Sequence, residues 1–402
     1  MNIFTDDIKS TKEGILVEKK PIGEVAGIIS SEADEEAVKK GDLFAKEIKE
    51  RFVSDFEKSE KLYKDGKVDK MDHMAHVSTF LVTNDTIFMS YYVNTSESKE
   101  DPNFQTARIA YCPVDNPDNK TFLDIQSVGD FVCGKEVKKV YDTILMQKDE
   151  DTIFVMWTAS VEDNYYRFFR TFSISEKKLG DVMVNKFKVG DITNDFSVSG
   201  MENALAQNGI EYKWMWCDTG IMQKISTRME DGKLYYYTGA YNGDFTCIIK
   251  SCDLITWEYV STPDFDNESV YENATYVLGD KCFYFVRQRE EDSKYGFLTT
   301  YDLITKKWAL PVLIEDCQSR SDFIVYDGEL YLFHAPIDRE HIGIVKIDTE
   351  NIKNSKVILQ ADMKSSCFYP FVQYFDKDTL AMSYTVERKH IRLAMFDMKK
   401  YI

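Results

Sequence analysis

The chain has 402 residues, 14% of them aromatic (26 Phe and 24 Tyr), and a net charge of −18. That charge opposes binding to nucleic acid or to an anionic membrane, both of which need a basic face to neutralise phosphates, and no apolar run approaches membrane-spanning length. The 8 cysteines are scattered without a C-x-x-C pair, which argues against zinc or a disulfide framework and for free thiols in a reducing compartment.

The first residues, Met1-Asn-Ile-Phe-Thr-Asp-Asp, lack a basic stretch followed by an apolar one. The expected location is cytoplasmic, or extracellular should a leader precede them. Residues 13–30 read as one or two strands. A charged segment, 32–68, follows, in which Phe44, Ile48, Phe52 and Phe56 fall at successive four-residue steps and predict an amphipathic helix inserted beside the body.

From Asp72 onward the pattern changes to polar turns followed by apolar-aromatic strands. The turns are anchored at Asp85, Asp151, Asp231, Asp280, Asp327 and Asp378, giving steps of 66, 80, 49, 47 and 51 residues. Periods of this length, with about four strands each, mark β-propeller blades. The expectation is a single all-β domain over 1–402, a six-bladed β-propeller with five or seven blades as alternatives. The last repeat is one strand short, so an N-terminal strand near 13–30 is expected to join it and close the ring.

The clearest unit is Arg320–His334, in which Asp327-Gly328 is a type I′ hairpin signal. Cross-strand partners then have numbers summing to 655, which puts Arg320 and His334 at the open end. The same arithmetic about Gly279-Asp280 pairs Glu272 with Arg287, and about Asp376-Lys377 it pairs Tyr369 with Tyr384, with Arg388 just beyond. The other blade mouths offer His76 and Tyr92, Asp142 and Trp157, and Asp218. Singly these residues suit ion pairs, turn caps and core aromatics. Together they put ionisable and aromatic groups at one register, a mix suited to sugar hydroxyls, C–H faces and carboxylates.

Ser251-Cys-Asp253-Leu-Ile-Thr-Trp257 resembles the S-x-D-x-x-x-W "Asp-box" turn of sialidases and related propeller glycosidases, with a looser copy at Thr300–Trp308. Its Asp and Trp are structural. The opening Ala75-His-Val-Ser-Thr-Phe80 followed by Tyr91-Tyr92 is similar to the first blade of bacterial members, and Glu272…Arg287, Arg320 and Tyr369 resemble that superfamily's catalytic Glu, two carboxylate-binding arginines and nucleophilic Tyr. The first-blade F/Y-R-I-P motif is absent and His76 stands there, which opens the substrate to a uronic acid or a deoxysugar.

The resemblance implies a glycoside hydrolase acting on a terminal acidic or deoxy sugar. Tyr369 would be the nucleophile, Glu272 its activator, and Asp142 or Asp218 the acid/base. His76, Arg287, Arg320, His334, Tyr384, Arg388, Trp157 and Tyr92 would line the substrate site. The alternatives are a pair of carboxylates in an ordinary glycosidase, a polysaccharide lyase using His76, His334 and Tyr369, and a non-catalytic carbohydrate-binding or interaction propeller. No cofactor or metal is expected. The partner is a small oligosaccharide or glycan, and the oligomeric state is open.

Overall fold

The computed structural model describes residues 2–5, 23–57, 60–66, 71–210, 219–242, 245–263, 270–288, 294–317 and 319–402. They form six sheets in a propeller arrangement. Sheet one is built from Met74–Thr83, Thr86–Asn94, Gln105–Pro113 and Thr121–Ser127, joined in chain order. Sheet two starts with Lys135–Gln147, sheet three with the interrupted pair Thr219–Ile221 and Ser226–Glu230, and sheet four with Val270–Leu278. Sheet five starts with Asp322–Tyr326 and sheet six with Cys367–Tyr374. The first strands touch the next sheet in turn, and that of sheet six touches that of sheet one, so the ring closes.

The six predicted hairpins are all present. Asp231-Gly232 and Asp327-Gly328 take positive φ at both central residues, as a two-residue turn matching strand twist requires. The register Tyr326↔Glu329 through Asp322↔Phe333 follows the predicted sum. Between neighbouring sheets lie apolar layers, such as Phe44, Tyr331, Phe333, Tyr384 and Phe396 between sheets five and six. Their side chains alternate with those facing the other neighbour, as a strand buried on both faces demands.

Closure differs from expectation. The strand that completes sheet six is Phe52–Asp55, antiparallel to His390–Phe396. Gly27–Ile29 instead lies parallel to Val312–Ile314 at the outer edge of sheet four, and residues 13–22 lie outside the described residues. The predicted helix accordingly stops early. Glu35–Glu50 is helical, with the Asp34 carboxylate accepting from the Ala37 amide, and it buries Phe44 and Ile48. Phe52 and Phe56 fall beyond it, Phe52 in the closing strand and Phe56 buried just after it. The four-residue spacing continued past the helix by coincidence, since Phe52 is exposed on the closing strand and only Phe56 is buried. The helix lies so close to the strand Lys356–Asp362 that a Cβ on Gly41 would stand 1.9 Å from the Gln360 carbonyl oxygen.

Outer turns carry local hydrogen bonds. Asp253 Oδ1 accepts the amides of Ile255 and Thr256 at 2.8 Å, Ser251 Oγ accepts that of Leu254, and Trp257 is fully buried. Asp302 does the same for Ile304 and Thr305.

Along the axis one buried ion pair joins three sheets. Lys224, from the break in the first strand of sheet three, lies 3.1 Å from the Asp322 carboxylate of sheet five. Its Nζ also donates to the Val372 carbonyl of sheet six at 2.6 Å, while the Val372 amide donates to Asp322 at 2.7 Å. Burial pushes the Asp322 carboxyl up to about 6 although Lys224 opposes it, and burial pulls the Lys224 ammonium down. Removing one partner strands a charge in the interior. Lys224→Met or Asp322→Leu alone should therefore lower stability by about 3–5 kcal/mol, and the double variant should recover most of it. Urea unfolding of the four proteins checks this; a double variant as unstable as the singles would show that packing, not charge, dominates.

Candidate active site

Four first strands depart from regular pairing at the same level. Register shifts fall between His76 and Thr79, Tyr141 and Ile144, Val270 and Asn273, and Phe368 and Phe371. Each inserts extra residues that leave the ladder and turn toward the axis. Val77, Asp142 and Tyr369 hold φ of 52°, 53° and 54° there. For a β-branched or aromatic residue that backbone costs about 1–3 kcal/mol and persists only where its surroundings impose it.

These insertions and their neighbours bring residues of all six sheets together. Arg320, just before the first strand of sheet five, donates from Nε to Glu272 Oε1 at 2.6 Å and from Nη2 to both Asp142 oxygens at 2.7 Å. Tyr241 of sheet three donates its hydroxyl to Asp142. Arg287 Nε lies 2.7 Å from Glu272 Oε2, as the hairpin arithmetic required. The Tyr369 hydroxyl stands 3.5 Å from the same Glu272 oxygen, adjacent but longer than a usual hydroxyl hydrogen bond. Arg320 and Arg287 lie over the Tyr369 ring at 5.0 and 5.9 Å. His76 also stacks on that ring at 4.7 Å and 28°, its Nδ1 hydrogen-bonded to Thr385.

The electrostatics divide the two carboxylates. Burial raises both, but at Asp142 the charge and hydrogen bonds of Arg320, aided by Arg167 and Tyr241, outweigh it and hold the carboxyl low. At Glu272 burial wins over Arg320, with Asp142 adding repulsion, and the carboxyl is raised. Burial, then the charges of Arg388, Arg320, Arg339 and Arg287, keep His76 far below the ordinary imidazole range and hence neutral. Asp142 is thus a fixed anion, and Glu272 is the group able to exchange a proton.

Tyr92 and Arg388 sit at the rim of this cluster. Tyr92 donates to Glu100 at 2.5 Å and Arg388 pairs with the same carboxylate. Three expected residues stand elsewhere. Trp157 is in the apolar layer between sheets one and two, bonded to Gln126 and stacked on Phe168. Tyr384 is in the layer between sheets five and six, opposite Arg392; Phe368↔Thr385 keeps the predicted register, but Tyr369 falls in the register shift between Phe368 and Phe371 and leaves the ladder. His334 packs its ring against Gly343, and neither nitrogen has a hydrogen-bond partner among the described residues; burial draws it down to about 4. Asp218 lies outside the described residues.

Sequence reasoning passed over Arg167 and Glu100; Tyr241 stands at the mouth of the third blade, where the hairpin pattern put it. Arg167 interrupts the aromatic run Tyr165–Phe169; it donates to the Asp142 carbonyl at 2.7 Å and to Thr158 at 2.9 Å. A guanidinium set among buried aromatics was the available signal. A groove of about 730 Å³ opens elsewhere, between Ile3, Ile125, Phe131, Met183 and Arg170, and none of the clustered residues line it. Asp55, Glu57 and His390 have spacing compatible with a metal ion, on the outer strands of sheet six.

No protein-family model matches the chain, and no curated protein matches it. Solved structures do. Hadza microbial sialidase Hz136 superposes with a TM-score of 0.55 at 13% identity, covering 82% of this chain and 66% of that one. The NanB sialidase from Streptococcus pneumoniae superposes with a TM-score of 0.54 at 8% identity, covering 88% of this chain and 71% of that one. The chain thus spans about two thirds of the length of these sialidases. At such identities the likeness is one of architecture: the chain shares its propeller fold with these sialidases.

Proposed function

We propose that this protein is a carbohydrate-active propeller, each of its six sheets one blade, that hydrolyses the glycosidic bond of a terminal acidic or deoxy sugar. The observation that carries the reading is the placement of the Tyr369 hydroxyl beside Glu272, under two arginines, at the convergence of the first strands. In this reading Tyr369 attacks the anomeric carbon and Glu272 takes the phenolic proton. A raised carboxyl lies closer to the operating pH and suits that task. A neutral nucleophile next to the carboxylate avoids the repulsion that a second anion would meet if the substrate is itself acidic. Asp142 is bound too firmly by Arg320 to release and regain a proton. It serves as the anchor that aims Arg320, and the acid that protonates the leaving group is assigned to Asp218.

His76 favours a second reading. Its neutral ring stacked on Tyr369, with Nε2 unpartnered among the described residues, would suit a lyase that removes a proton with His76 and returns one from Tyr369. The cytoplasmic setting expected from the free cysteines favours a small imported oligosaccharide in either case.

Aryl glycosides of a sialic acid, a glucuronic acid and a rhamnose test the main reading. Turnover of at least one is expected, with Tyr369→Phe and Glu272→Gln each lowering kcat by at least about a hundredfold. Release of an unsaturated product would identify the lyase instead, and binding without turnover of any glycoside would identify a lectin.

The pH profile gives a separate check. Glu272 must be ionised to accept the proton, and its carboxyl is raised, so kcat/KM should fall as pH drops through a value above the ordinary glutamate range. Glu272→Gln should remove that limb from the residual activity. A limb that persists in Glu272→Gln assigns the titration to another group.

A further inference from the structure

Six of the axial residues are almost closed to solvent: His76, Asp142, Glu272, Arg287, Arg320 and Tyr369 are each at most 7% exposed. The rim pair is different, with the Arg388 and Glu100 side chains 33% and 31% exposed. Arg388 comes from the tight turn between Leu380–Val386 and His390–Phe396, where Glu387 and Arg388 both take positive φ. Glu100 comes from the connection between Thr86–Asn94 and Gln105–Pro113 of sheet one. Their ion pair therefore spans the seam where sheets six and one meet.

From that pair a continuous stack leads inward. The Arg388 guanidinium lies 5.1 Å from the Phe368 ring, Phe368 meets His76 edge-on at 5.7 Å, and His76 stacks on Tyr369. Three successive contacts thus link the Arg388 guanidinium to the Tyr369 ring. Arg320 and Arg287 are poorer candidates for first capture of an anion. Each is held by buried carboxylates at 2.6–2.7 Å, and leaving those partners unpaired in the interior is costly. Displacing Glu100 costs little by comparison, because water can receive its carboxylate at the rim.

We propose that Arg388 captures the carboxylate of an acidic sugar, and that Glu100 occupies that position in the unliganded protein as an internal stand-in for it. The inference rests on the glycosidase reading and narrows it from acidic or deoxy sugars to acidic ones. The Tyr92 hydroxyl, which donates to Glu100 Oε1, would pass to the incoming carboxylate as a second donor. The excess of arginine around His76, in a chain of net charge −18, gives the mouth a local field of the required sign.

The test uses full-length protein carrying Tyr369→Phe, titrated calorimetrically with free glucuronic acid and N-acetylneuraminic acid, and with rhamnose as the neutral control. Adding Glu100→Gln should tighten binding of at least one acid by at least about threefold, and adding Arg388→Gln should weaken it by about tenfold, with rhamnose unaffected. The gain expected from Glu100→Gln cannot arise from misfolding. Unchanged acid binding in both variants overturns the inference, as does binding of rhamnose but neither acid, which leaves the glycosidase reading standing. If neither acid binds and no aryl glycoside is turned over, both fall.

Discussion

Arg320 is a buried guanidinium placed between two carboxylates that arrive from different sheets, one of them across the ring. None of the three charges could remain in so dry an interior alone, so their positions are mutually fixed. Glu272 cannot move without releasing Arg320, and Arg320 cannot turn without stranding Asp142. The aromatic stack is built on this charge framework, with Tyr369 held against both the arginines and His76. Further along the axis Lys224 and Asp322 repeat the arrangement, again joining sheets distant in the chain.

Irregular backbone makes that convergence possible. A regular strand in the first position would point alternate residues into the two flanking apolar layers and none toward the axis. The insertions at Val77, Asp142 and Tyr369, and the break before Lys224 in sheet three, release side chains from that alternation. Left-handed backbone at a valine and a tyrosine is unfavourable in isolation, so the cost is met by the packing of the surrounding sheets.

The ring was legible from the sequence because each repeat announces itself with a polar turn and a two-residue alternation, and both are local signals. Glu272 beside Arg287 could be found by hairpin arithmetic because the arithmetic needs only the turn. It failed for Tyr384 because Tyr369 falls in a register shift and leaves the ladder, which turn arithmetic alone does not report. Trp157 lies mid-strand and His334 at a strand end, and in both cases only the packed layers decide which way the side chain faces. The links through Arg167, Glu100 and Lys224 join distant segments, so no local pattern encodes them. The strand Phe52–Asp55 was hidden by a helical spacing that ran on past its helix.

That short strand also bears on how the chain comes to be folded. Phe52 pairs beside Ala394, so the outermost position of the last sheet is filled by residues synthesised well before their partner. Emerging ahead of its partner, this segment stays unpaired until His390–Phe396 has also left the ribosome. The seam is accordingly a contact of very high sequence separation, of the kind that forms late and slowly. Until it does, the strand His390–Phe396 presents an open edge, the surface most prone to pairing with a neighbouring molecule.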